Sequence, residues 1–111
     1  MEITVTDREE FTVVSIAGQV DGKNSEELLA TFDELLGSGK TRLIGDFQEL
    51  IYMSSAGLRV LLGTTKKALG KQGCFYLANV QDDVLRVLEI AGFTKFLKVF
   101  PSIDKAISGA A

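Results

Sequence analysis

Two adjacent hydroxyls, Ser54 and Ser55, stand where an apolar segment gives way to an amphipathic run, and they are the groups in this chain best placed for chemistry. They follow Asp46-Phe47-Gln48-Glu49-Leu50-Ile51-Tyr52-Met53 and precede Ala56-Gly57-Leu58-Arg59-Val60-Leu61-Leu62. A serine opening a helix can cap it, because its oxygen accepts hydrogen bonds from first-turn N–H groups that lack an intrahelical partner. The same donors, with the positive end of the helix dipole, make the turn a favourable seat for phosphate. Ser55 would carry a phosphoryl group where it is well tolerated. Arg59, one helical turn after Ser55, is either a phosphate partner or a solvated surface arginine. Asp21 and Asp46 are carboxylates at loop and strand-end positions, where turn bonding is the competing use.

Other chemistries are excluded by composition. The chain has no histidine and a single cysteine, Cys74. Ser-His-Asp and Cys-His catalysis, histidine phosphorelay and imidazole-based metal sites are therefore ruled out, as are the usual zinc ligands. No cofactor is expected. Gly37-Ser38-Gly39-Lys40-Thr41 has the look of a P-loop ending, but Glu34 stands where the first glycine belongs. The order of elements is also reversed, a helix ending into a strand rather than a strand opening a helix. Cys74 reads as a small buried apolar residue on a strand, and Phe93, Phe96 and Phe100 as core.

The elements that must position the serines follow from periodicity. Ile3 and Val5 alternate with polar neighbours and Phe11–Ala17 is a β-branched run, giving two strands joined by a polar turn. Asn24 with Glu27 resembles a capping box before Leu28, Leu29, Phe32, Leu35 and Leu36 at helical spacing. Thr41–Phe47 is the next strand, followed by an apolar turn. A helix then runs to Leu69, with Leu58, Leu61, Leu62, Thr65 and Leu69 along its apolar face. Cys74–Ala78 is a strand, Asp82 or Asp83 caps a helix bearing Val84, Val87, Leu88 and Ala91, Phe96–Val99 is a short strand, and Pro101-Ser102 opens a closing helix. The expected fold is α/β, one domain over residues 1–111. A mixed, mostly parallel sheet of about five strands packs with about four helices through right-handed crossovers.

This order, and the stretch around the serines, resembles the anti-sigma factor antagonist family, the stand-alone STAS domains. In that family an apolar residue followed by Asp-Ser-Ser-Gly-Leu or a close variant opens a helix, and the first serine is phosphorylated by a partner kinase. Met53 falls on the apolar position, Ser55 on the phosphorylated serine, and Gly57-Leu58 on the closing pair. Ser54 replaces the usual aspartate and Ala56 the following hydroxyl residue, which makes Ser54 a rival acceptor. The resemblance implies a bacterial partner switch without catalysis of its own. The unmodified protein binds a serine-kinase anti-sigma factor and frees the sigma factor, phosphorylation of Ser55 releases it, and a phosphatase resets the cycle. The implied partner surface comprises Asp21, Asp46, Met53, Ser54, Ser55, Ala56, Gly57, Leu58 and Arg59. The alternatives are a non-phosphorylated STAS subunit or scaffold of a transport or signalling complex, and a small-molecule sensor.

Bulk properties agree with a soluble partner protein. Apolar residues make up 46% and charged residues 24%, with a formal net charge of −3. Direct nucleic-acid binding is not expected, since it requires clustered positive charge. No segment approaches the roughly 18 apolar residues of a membrane span, and no basic-then-apolar signal opens the chain. One unpaired cysteine suits a reducing compartment, so the expected location is the cytoplasm.

Overall fold

Phe11-Thr12-Val13-Val14-Ser15-Ile16, four of whose six residues are β-branched, lies in the longest strand, along which the sheet is assembled. In the computed structural model, which describes residues 1–109, β1 (Glu2–Arg8) and β2 (Phe11–Val20) form an antiparallel hairpin around Glu9-Glu10. Glu9 takes a left-handed φ of 57° at that turn. β3 (Arg42–Asp46) runs parallel to the first half of β2, with Thr12 opposite Leu43 and Ser15 opposite Asp46. β5 (Cys74–Ala78) and β6 (Lys98–Phe100) continue outward in parallel, giving the order β1-β2-β3-β5-β6.

The sheet has a sixth strand that the sequence did not announce. Leu50–Met53, read above as an apolar turn, is β4, parallel to the second half of β2 with Gly18 opposite Leu50 and Val20 opposite Met53. The reason lies in β2. Ile16–Val20 extends past the end of β3, and ladder groups left unpaired beside a core are costly. The chain turns at Phe47–Leu50, where the Leu50 N–H reaches the Phe47 carbonyl at 3.0 Å, and returns beside β2 to pair them.

Helices cover both faces. α1 (Ser25–Gly37) and α2 (Ser55–Gly70) lie side by side, burying Leu28, Phe32, Leu36, Leu61 and Ala68 against Val14, Ile16, Leu43, Phe75 and Leu77. Phe32 and Phe75 meet edge to face at 5.1 Å, the geometry favoured by ring quadrupoles. α3 (Asp82–Ile90) adds Val84 and Leu88 to the same core. α4 (Ile103–Gly109) covers Phe11, Val13, Ile44 and Ala78 on the other face.

Several expected details differ. In α2, Leu58, Leu61 and Thr65 are buried, but Leu69 is 62% exposed and its place is taken by Val60, Thr64 and Ala68. The helix packs against α1 as well as the sheet, so its buried stripe is wide and its small residues allow the close approach. Ala91 lies exposed past the end of α3. Phe96 is also exposed, because it follows a 3-10 turn at Phe93–Lys95 and Leu97 takes the inward position before β6 begins. Cys74 is half-buried rather than buried. The Asn24–Glu27 capping box does not form, and Asn24 has φ −98° and ψ −3°. That helical conformation turns its side chain back toward Asp21 instead of over the first turn. Neither Asp82 nor Asp83 caps α3; Gln81 precedes the helix and its Nε2 donates to the Gln48 carbonyl at 2.6 Å. The two aspartates occupy the first turn, where the helix dipole favours them. Among the described residues no helix is long and apolar enough to cross a membrane, and no group of three or more metal-ligating side chains converges.

Candidate functional site

β2 and β4 end together, and their paired ends place two loops side by side. Val20 and Met53 are register partners, and the Ser54 N–H donates to the Val20 carbonyl at 2.8 Å. From β2 the chain leaves through Asp21; from β4 it leaves through Ser54-Ser55 into α2.

The two serines have different tasks. Ser54 is the cap: its backbone is extended (φ −79°, ψ 170°), and its Oγ accepts from the Gly57 N–H at 3.2 Å. Its carbonyl accepts from the Leu58 N–H at 2.9 Å. Ser55 is the first helical residue, exposed, and its hydroxyl has no hydrogen bond among the described residues. A cap hydroxyl is worth about 1 kcal/mol, so Ser54→Ala is expected to cost about that much in thermal or urea unfolding, while Ser55→Ala changes stability by less than about 0.5 kcal/mol. Equal losses in the two variants would show that the cap is shared.

Gly57 is fixed by close packing. A Cβ there would lie 2.1 Å from the Met53 Sδ and 2.8 Å from the Val20 Cγ1. Met53 and Val20 are buried beneath the first turn of α2, so the same contact seats the helix and sets the height of Ser55 above the sheet.

Asp21 is brought next to this turn, in a tight loop of its own. Its Oδ1 accepts from the backbone N–H groups of Lys23 and Asn24, both at 2.9 Å, while Asn24 Oδ1 accepts from the Asp21 N–H at 2.8 Å. The Asn24 amide, and then that of Lys23, hold the Asp21 carboxyl below its ordinary pKa; it is ionised at neutral pH. Asp46 is placed elsewhere. Its Oδ2 accepts from Ser15 Oγ at 2.9 Å, and its Oδ1 from Asn79 Nδ2 at 3.0 Å and the Gln48 N–H. It stands opposite Ser15 whereas Met53 stands opposite Val20, a separation of roughly 16 Å along β2 at strand rise. The structure thus gathers Asp21, Met53, Ser54, Ser55, Ala56, Gly57 and Leu58, and leaves Asp46 as a brace between β2, β3 and the Asn79 turn.

Arg59 is exposed on α2 and lines a groove of about 490 Å³ between α1 and α2, with Ser25, Glu26 and Leu29 on one wall and Ala56 and Lys67 on the other. Beside β4 and α3 lies a feature that sequence reading missed. Ile51 and Tyr52 are 60% and 51% exposed and, with Val87 of α3, border a shallow cleft of about 230 Å³. The available signal was the pair of large apolar residues just before the cap; reading them as a turn concealed that a strand presents them.

Comparison with known proteins gives a consistent result. The family model of the STAS domain matches residues 2–106. A protein of Bordetella bronchiseptica named as an anti-sigma factor antagonist, BtrV, is 32% identical over 111 residues, covering 100% of this chain and 93% of its own. A crystal structure from Thermotoga maritima, described as an anti-sigma factor antagonist, superposes with a TM-score of 0.91 at 18% identity, covering 96% and 92% of the two chains. SpoIIAA of Bacillus in its phosphorylated form superposes with a TM-score of 0.75 at 20% identity, covering 99% of this chain and 100% of that one.

Proposed function

This chain belongs to the STAS domain family, and from that premise we propose that it is an anti-sigma factor antagonist switched by phosphorylation of Ser55. The unmodified protein binds a serine-kinase anti-sigma factor through the Asp21 loop, the Ser54–Arg59 turn and the flanking Ile51 and Tyr52. The observation that carries this reading is the division of labour between the serines. Ser54 is engaged as the cap, which leaves the Ser55 hydroxyl exposed and available. In the transfer step the Ser55 Oγ attacks the γ-phosphorus of ATP held by the kinase. The bond to the leaving ADP oxygen breaks, and the hydroxyl proton passes to a base on the kinase. A phosphatase later hydrolyses the phosphoester with water, returning the serine and inorganic phosphate.

The chain contributes position and charge. A phosphate on the first residue of α2 meets free N–H groups and the helix dipole, so the modification is compatible with the fold. Ionised Asp21 lies beside the same turn and adds to the negative field that a docked partner must meet. The protein acts by binding, without catalysis of its own, and its expected setting is the cytoplasm.

The test is incubation with the purified cognate anti-sigma kinase and Mg-ATP, followed by peptide mass spectrometry. One phosphate at Ser55, absent in Ser55→Ala, is the expected result. Phosphate on Ser54, or none, would remove Ser55 from its role. The replacement of the family's aspartate by Ser54 favours a second reading: a STAS subunit that stays bound to its partner without modification. Absence of phosphotransfer, together with stable complex formation, would select it.

A further inference from the structure

β1 is the outermost strand of the sheet, and every residue in it except Ile3 is exposed. The Glu9-Glu10 turn determines which of its backbone groups are free. Residues flanking a two-residue hairpin loop exchange hydrogen bonds, so Arg8 bonds Phe11. The unbroken register gives Thr6–Val13, Thr4–Ser15 and Glu2–Ala17 the same role. The N–H and C=O groups of Ile3, Val5 and Asp7 therefore point away from β2 toward an open edge. Such an edge is a template for another strand, and Glu2–Arg8 holds no proline, glycine or bulge; its charged residues, Glu2, Asp7 and Arg8, stand toward the two ends of the strand.

We propose that β1 is a homodimerisation edge, at which two copies pair antiparallel about a two-fold axis through Val5. The occupant is identified by charge order. With Val5 opposite the partner's Val5, Thr4 meets the partner's Thr6 and Glu2 meets the partner's Arg8. The Thr and Glu–Arg pairs fall at the non-hydrogen-bonded sites, where side chains approach most closely. Symmetry makes each match twice. A slip of two residues in either direction sets both Glu2 and Arg8 against threonine or leaves them unpaired, so the charges select one register. Arg8 also bonds Asp104 Oδ1 at 2.6 Å, yet its side chain is 43% exposed and can serve both carboxylates. Asp7, which would lie opposite the partner's Ile3, already has Lys40 Nζ at 3.0 Å to balance its charge. The interface is self-complementary and closed, because pairing consumes each copy's β1 edge. The other end of the sheet does not compete, since β6 spans only Lys98–Phe100 and stops at Pro101.

Sedimentation equilibrium from micromolar to millimolar concentration tests this. The wild-type chain should rise from its monomer mass of 12.0 kDa toward twice that value. Val5→Pro removes a donor that β2 does not use, and should stay monomeric with an unchanged far-ultraviolet spectrum. Glu2→Arg, an exposed change that leaves the fold alone, should weaken the dimer about tenfold by opposing like charges twice. Adding Arg8→Glu should restore it. A wild-type chain that remains monomeric to millimolar concentration would overturn the proposal, as would Val5→Pro or Glu2→Arg assembling as wild type does.

Discussion

Ser55→Asp is expected to bind the anti-sigma factor about a hundredfold more weakly than the unmodified protein, a loss of about 2.7 kcal/mol, while Ser55→Ala stays within about twofold. The difference follows from where the charge falls. Ser55 is exposed on the first turn of α2, whose preceding residue Ser54 is bonded to Val20 at the start of the Asp21 loop. A carboxylate there must be desolvated when a partner closes over the turn, which opposes docking, and a partner surface that is itself acidic would in addition meet the combined field of this charge and Asp21. Within the free protein the same charge is welcome, because first-turn amides and the helix dipole favour an anion by about 0.3–1 kcal/mol. The switch should therefore appear in binding without appearing as unfolding. Ser55→Asp should melt at or slightly above the temperature of wild type while losing its partner, measured by titration calorimetry beside a thermal melt. If Ser55→Asp binds as tightly as Ser55→Ala, the turn is no switch. If it binds weakly but also melts early, the loss belongs to the fold and not to the interface.

How far the sequence exposes this design depends on the range of the forces involved. The amphipathic helices, the β-branched β2 and the helix-opening serines rest on local periodicity and local capping, and these were legible from the residues alone. β4 was not. Leu50–Met53 is too short to show alternation, and it becomes a strand only because β2 outruns β3 and needs a partner. The fates of Asn24, Asp46 and Phe96 were likewise set at long range. Asn24 turns to Asp21 and Gln19, Asp46 to Ser15 and Asn79, and Phe96 to solvent because Leu97 claims the core. Even the choice between Ser54 and Ser55 as the cap needed the exit angle of β4, which the Ser54–Val20 hydrogen bond fixes.

Gly57→Ala should be the most destabilising single-methyl change at the site, and its comparison with Gly63→Ala isolates the reason. Both glycines lie in α2, where alanine is favoured over glycine by about 1 kcal/mol. At Gly63 an added Cβ meets nothing within 4 Å, so the propensity gain should appear as a melting temperature higher by a few degrees. At Gly57 the same methyl would stand 2.1 Å from the Met53 Sδ and 2.8 Å from the Val20 Cγ1. Val20 and Met53 are buried register partners at the ends of β2 and β4, so relief requires the first turn of α2 to lift or two core side chains to repack. Overpacking of this kind costs about 1–3 kcal/mol, so after the propensity gain a net loss of up to about 2 kcal/mol remains, which should lower the melting point by up to about 10 °C. A lifted turn also shifts Ser55 relative to Asp21, so phosphotransfer by the kinase should slow in Gly57→Ala even at temperatures where the protein is fully folded. Equal melting shifts in the two variants would mean that Met53 swings aside freely, and that the height of Ser55 above the sheet is set by something other than this contact.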